Sequence, residues 1–247
     1  MPTLRAKRRA GRQSGNTNEK WASDMQGATL VFDLDGTLVD TAPDLIRAGN
    51  HVMSLIGLAP VEPTLLKPSI SHGARVIITT ALAHHGRTLA DPAIDDLLAA
   101  FLAHYADNIA VESRPFPAMT ERLAHYATRG ARLAVCTNKR EGLSRKLLGE
   151  LGLATRFQAI AGRDTFPVCK PHPDHLTGAI AMAGGDVARA VMVGDSNTDV
   201  LTAKAAGIPV IGVTFGYTDV PVTELGCDAV IEHYDELDAA LARLGYA

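Results

Sequence analysis

Short apolar runs and longer amphipathic stretches alternate along most of this chain. Six runs have the length and composition of buried strands: ATLVFD (28–33), RLAVCT (132–137), FQAIAG (157–162), RAVMVGD (189–195), IPVIGVT (208–214) and DAVI (228–231). From the second run onward, helical patterns separate most of them, among them 172–184 and 198–206. Strands alternating with helices predict right-handed β-α-β crossovers, and so an α/β fold: a Rossmann-like parallel sheet with helices on both faces. In such a sheet polar chemistry collects at the carboxyl ends of the strands.

Between the first and second runs the period changes. Residues 44–114 hold helical patterns and no convincing strand; the clearest places Ile94, Leu97, Leu98, Phe101, Leu102 and Tyr105 on one face, at the i, i+3, i+4, i+7 spacing. Similar stripes near 44–56 and 73–85 predict two more helices. An insertion of that length is too long for a loop. The expectation is an all-helical cap over 44–114, hanging above the strand ends of an α/β core made of 25–43 and 115–247.

Composition narrows the class. At 47% hydrophobic and 21% charged the chain is an ordinary globular one, and no apolar run approaches the roughly 18 residues of a membrane span. Three widely spaced cysteines, Cys136, Cys169 and Cys227, without a C-x-x-C, argue against a disulfide framework and a structural zinc site. A reducing, cytoplasmic location is expected. Residues 1–24 carry Arg5, Lys7, Arg8, Arg9, Arg12 and Lys20 against Glu19 and Asp24, a net of +4, so the remainder carries −7 to reach the overall −3. With little apolar to pack, the arm is expected to be a disordered basic extension. No apolar segment follows its arginines, which argues against a secretory signal.

Candidate chemistry falls where the sheet predicts it. Asp33 and Asp35 end the first strand in DLDGT, Thr137 and Asn138 end the second, Lys170 stands in CKPHP, and Asp195 and Asp199 stand in GDSNTD. Carboxylates this close repel one another unless a cation lies between them. Mg²⁺ takes oxygen ligands, usually one or two carboxylates with waters and phosphate oxygens. Asp33 and Asp195 are its candidate ligands. Thr137 and Asn138 are candidate phosphate donors, Lys170 adds positive charge against a transferring phosphoryl group, and Asp199 is placed to hold Lys170.

DLDGT, a Thr ending the next strand, a downstream Lys-Pro and GDSNTD, in that order, resemble the four motifs of the haloacid dehalogenase superfamily of phosphohydrolases. The resemblance covers about residues 28–247. FDLDGTLVDTAPDL, TNK and GVTFGYTDVP are most similar to the bacterial phosphoglycolate phosphatases within it. It implies Asp33 as nucleophile, forming an aspartyl-phosphate, and Asp35 as acid and then base. It also implies Mg²⁺ held by Asp33, Asp195 and the backbone carbonyl of Asp35, phosphate bound by Gly36, Thr37, Thr137 and Asn138, and Lys170 supported by Asp199. The substrate implied is a small phosphorylated metabolite, 2-phosphoglycolate before a sugar phosphate or pyrophosphate.

Residue types exclude relatives. A dehalogenase of this superfamily lacks the second Asp, because halide leaves without a proton, yet Asp35 is present. A cysteine phosphatase needs C-x5-R, and six residues after Cys136 stands Gly142. Cys136 and Cys169 read as small buried side chains, and His172 and His175 of HPDH as a surface helix start. The insertion lies between Asp33 and Thr137, whereas 31 residues separate Asn138 from Lys170, too few for a second large lid. A lid favours small substrates over nucleic acid. Within it SISHGARVII (69–78) resembles the family's specificity segment, and Arg75 is the candidate for a substrate carboxylate. The competing reading is a nucleic-acid-binding or scaffold protein on this fold, supported by the basic arm and opposed by the acidic body and complete motifs.

Overall fold

The computed structural model describes residues 25–246; the expectation for residues 1–24 lies outside them. In chain order the first elements are β1 (Thr29–Phe32), β2 (Val39–Asp40), α1 (Ala42–Leu55), α2 (Pro63–Leu66), α3 (Ala74–His84), α4 (Asp91–Asp107) and β3 (Arg114–Pro115). There follow α5 (Met119–Thr128), β4 (Arg132–Cys136), α6 (Glu141–Glu150), β5 (Ala159–Ala161), α7 (Pro173–Met182), β6 (Ala190–Gly194), α8 (Asn197–Ala205), β7 (Val210–Val213), β8 (Ala229–Ile231) and α9 (Leu237–Arg243). Each of the six apolar runs forms a strand, trimmed by a residue or two at its ends.

Among the described residues these runs make one six-stranded sheet in the order β5-β4-β1-β6-β7-β8, every pair parallel. The period-2 alternation is kept although both faces are dry. Leu30, Phe32, Leu133 and Val193 pack with Leu123, Leu147 and Leu237 on one face. Val31, Ala134 and Met192 pack with Leu176, Ile180 and Val200 on the other. Strands covered on both faces need apolar residues throughout, which is why these read as continuous runs.

β1 lies between β4 and β6, in register from Thr29 opposite Arg132 and Ala190 to Phe32 opposite Val135 and Val193. The residues just past these three strands are therefore neighbours. Here the chain turns to both sides of the sheet from its centre, the crevice where open α/β folds bind ligands.

The insertion between β1 and β4 folds on itself. α1, α3 and α4 share a core of Val52, Met53, Ile77, Ala81 and Phe101. The stripe on α4 divides between two tasks. Ile94, Leu97, Phe101 and Tyr105 are buried, while the half-buried Leu98 and Leu102 face a cavity over the sheet edge.

A short ladder at the neck of the insertion is not legible in the sequence. Where the chain enters and leaves the insertion, β2 and β3 form a two-residue antiparallel ladder, Val39 opposite Pro115 and Asp40 opposite Arg114. Asp44, at the start of α1, reinforces it by accepting hydrogen bonds from the backbone N–H groups of Glu112 and Ser113 and from the Ser113 hydroxyl. Arg47 reaches Asp44 at 2.6 Å and Glu112 at 3.0 Å.

Candidate active site

After β1 the chain turns sharply: the carbonyl of Leu34 accepts from the N–H groups of both Leu38 and Val39, and Gly36 takes φ of +80°. The turn sets Asp33 and Asp35 on the cavity. A Cβ at position 36 would stand 2.5 Å from Asp195 Oδ2, so glycine is needed for contact with this carboxylate as well as for its φ. The Thr37 hydroxyl donates to Asp195 Oδ1 at 2.9 Å. Gly36 and Thr37 thus both contact Asp195, and neither is among the residues lining the cavity.

Asp195, at the end of β6, is held on its other oxygen by the Tyr217 N–H at 2.8 Å. The Tyr217 hydroxyl donates to Asp40 and accepts from the Ala42 N–H at 3.1 Å. This side chain, which the sequence reading did not single out, connects Asp195 to the first turn of α1.

Both oxygens of Asp199 are already engaged. One oxygen accepts from the Ser196 N–H and hydroxyl in the capping box that opens α8. The other accepts from Lys170 Nζ at 2.5 Å. The same ammonium lies 3.0 Å from Asp33 Oδ1. Burial works against the charge on Lys170, but Asp199 and Asp33 outweigh it and raise its pKa above the ordinary lysine value.

Lys170 is positioned through its backbone. Its carbonyl accepts from Asn138 Nδ2 at 3.0 Å, and its N–H donates to His175 Nδ1 at 3.1 Å. His175 is fully buried, with Nε2 3.0 Å from the Gly162 carbonyl. The expectation of a surface HPDH therefore holds for His172, the half-exposed N-cap of α7, and fails for His175. Three residues on, the helix turns that side chain toward the Gly162 carbonyl. Cys136 is buried, as expected, and Cys169 is half-buried on the cavity wall.

The carboxylates form an unbalanced cluster. Ligand atoms of Asp33, Asp195 and Asp199 lie within 4.8 Å of one another, against the single ammonium of Lys170. Asp33 Oδ1 is buried and, although near Lys170, is in hydrogen-bond geometry with no donor. Burial, then the neighbouring carboxylates, raises Asp195 well above the usual carboxylate range, and burial, partly offset by Lys170, raises Asp33. Oxygen-only donors, excess negative charge and an orphaned buried oxygen fit a hard divalent cation.

A cavity of about 520 Å³ lies over this cluster, a size suited to a small ligand. Its floor includes Asp33, Asp35, Thr137, Asn138, Lys170 and Asp195; Ile77, Leu98, Leu102 and Tyr105 form its apolar roof. Thr137 is buried, and its hydroxyl accepts from the Lys139 N–H at 3.2 Å. Arg75 also reaches the cavity, but its guanidinium is hydrogen-bonded to Asp95 and lies 3.6 Å from Asp91. Lys139 is the unforeseen cation. Its side chain is 6% exposed, its ammonium lies 2.9 and 3.1 Å from the two oxygens of Asp35, and it rests 4.5 Å above the Tyr105 ring.

The chain matches the family described as haloacid dehalogenase-like hydrolase over residues 30–213. It is 50% identical over 218 residues to a phosphoglycolate phosphatase of Mesorhizobium japonicum, covering 88% of this chain and 96% of that one. It is 49% identical to the phosphoglycolate phosphatase of Agrobacterium fabrum, covering 85% and 91%. Among solved structures it is similar to a predicted phosphoglycolate phosphatase from Haemophilus somnus, with TM-score 0.80, 28% identity and coverage of 86% and 96%. CbbY from Rhodobacter sphaeroides, solved in complex with xylulose-(1,5)bisphosphate, superposes with TM-score 0.71 at 26% identity, covering 87% and 98%.

Proposed function

The chain belongs to the haloacid dehalogenase-like hydrolases, and on that premise we propose that it hydrolyses 2-phosphoglycolate to glycolate and phosphate through an aspartyl-phosphate on Asp33. That it is a phosphoric monoester hydrolase follows from its relatives. The carrying observation for the mechanism is the buried Asp33 carboxylate, with one oxygen lacking a hydrogen bond, at the floor of the cavity beside Lys170 and two residues from Asp35.

In this reading an Asp33 oxygen attacks phosphorus and the bond from phosphorus to the ester oxygen breaks. Asp35 gives its proton to the departing alkoxide, which leaves as glycolate. A water then attacks phosphorus, Asp35 takes its proton, and phosphate departs with Asp33 restored. Lys170, fixed by Asp199 and by the bonds to its backbone, sets positive charge against the phosphoryl oxygens without reorganising. Thr137 and Asn138 bind the phosphate beside it.

The resident cation is Mg²⁺, with Asp33, Asp195 and the Asp35 carbonyl as its protein ligands. When bound it neutralises charge on the phosphoryl oxygens and relieves repulsion among the carboxylates. Residues 44–114 act as a cap over a core of 25–43 and 115–247, excluding water from the aspartyl-phosphate until the alkoxide has left. The support is the apolar roof supplied by α3 and α4 and the tied entry and exit strands. The enzyme works in the cytoplasm on a small phosphorylated metabolite. Among the described residues no helix is long and apolar enough to cross a membrane.

The test is phosphate release from 2-phosphoglycolate, phosphoserine, sugar phosphates and pyrophosphate, with Mg²⁺ and with EDTA. The expected result is a lead for 2-phosphoglycolate of tenfold or more in kcat/KM, abolished by EDTA. A lead for another ester would displace the substrate while leaving the chemistry in place.

A further inference from the structure

We propose that the carboxylate of the substrate is read by the Lys139 ammonium together with the Tyr105 hydroxyl, one group from the core and one from the insertion. The inference deepens the 2-phosphoglycolate reading and rests on it.

Three observations converge. First, Lys139 is a buried cation on the cavity floor. Burial penalises its charge, but Asp35 outweighs that penalty and raises its pKa above the ordinary lysine value. Its contacts to the two Asp35 oxygens leave at least one of the three ammonium protons uncommitted.

Second, Tyr105 is 1% exposed and lines the same cavity, and its hydroxyl lies near the Lys139 ammonium without meeting hydrogen-bond geometry to any group. A buried phenol normally finds a hydrogen-bond partner. An unpaired donor beside a buried ammonium suits an incoming anion, and a carboxylate offers an oxygen to each.

Third, the other cations that line the cavity apart from Lys170, namely Arg75, Arg140 and Arg163, are all exposed to solvent. Arg75 is 43% exposed and faces Asp95 and Asp91, whereas the Lys139 side chain is 6% exposed, and attraction to a substrate carboxylate is stronger away from water. The covalent geometry of 2-phosphoglycolate agrees with Lys139 as well. One methylene carbon separates its carboxylate from the ester oxygen that Asp35 must reach, and the Lys139 ammonium adjoins Asp35. Because Lys139 follows β4 and Tyr105 stands on α4, a carboxylate held by both also ties the insertion to the core.

The experiment compares 2-phosphoglycolate with 2-hydroxyethyl phosphate, which replaces the carboxylate by a neutral alcohol, for wild type, Lys139→Met and Tyr105→Phe. Circular dichroism checks the fold of each. Tyr105→Phe removes a single oxygen and keeps the buried ring, so folding is expected to survive it. The expected result is that the wild-type preference for 2-phosphoglycolate falls by about 10- to 100-fold in Lys139→Met, and several-fold in Tyr105→Phe. Proportional losses on both esters, leaving the preference intact, overturn the inference and spare the proposed substrate. A wild type without the preference overturns the proposed substrate itself, and the inference with it.

Discussion

The backbone N–H of Lys170 donates to Nδ1 of His175, five residues on, and the far side of that ring faces the Gly162 carbonyl. Accepting at Nδ1 places the ring proton on Nε2, so the neutral tautomer fits the site and the charged one loses the bond to Lys170. Burial accordingly lowers His175 from 6.5 to about 4.

The unfolded chain therefore takes up this proton near pH 6.5 while the folded chain resists it down to about pH 4. The stability contributed by neutral His175 is complete above the first value and lost as pH falls toward the second. Urea midpoints measured between pH 7.5 and 4.5 should fall for wild type with a component absent from His175→Gln. Equal slopes would remove the assignment.

Asp33→Asn should lower kcat by more than about 1,000-fold, as loss of a nucleophile does. Without divalent cation at pH 8 it should also raise the melting temperature. Asp33 is raised by burial, so its ionised form is the disfavoured one in the folded state. Calorimetry on the cation-free protein checks the sign, and a lower melting temperature would contradict it.

Cation binding should tighten as pH rises. Protons on Asp33 and Asp195, both raised by burial, must leave before these carboxylates can ligate. Mg²⁺ should raise the melting temperature more at pH 8 than at pH 5.5, and EDTA should abolish the gain. A shift independent of pH would mean the ion binds elsewhere.

Asp44→Asn should destabilise by about 2–4 kcal/mol, since a buried carboxylate with three donors and Arg47 is replaced by a neutral group whose NH₂ faces donors. Chemical denaturation measures it. A loss below about 0.5 kcal/mol would mean that the entry and exit of the insertion are secured by other contacts.

Much of the molecule was legible from local pattern. Strand order along the chain, the parallel sheet and the helices of 44–114 follow from hydrophobic period and length, which neighbouring residues carry. The positions of Asp33, Thr137 and Asp195 follow from the rule that strand ends gather in such a sheet. Asp199 was expected to hold Lys170 because it stands one helical turn after Asp195, and the Lys170 ammonium is found on it.

What the chain could not reveal depends on which elements meet. Asp35 and Lys139 are 104 residues apart, and nothing local in TNK distinguishes a solvated lysine from one packed beneath Tyr105. Tyr105 reads as part of an apolar stripe until the cavity leaves its hydroxyl unpaired. His175 reads as helix-start surface until α7 is laid on the sheet, and Gly36 as a turn residue until Asp195 is found 2.5 Å from its missing Cβ. Sequence by itself determined the elements and the chemistry-bearing loops, because periodicity and turn preference act over a few residues. Tertiary structure alone decided which polar groups lost water together, and with that their partners and their charge states.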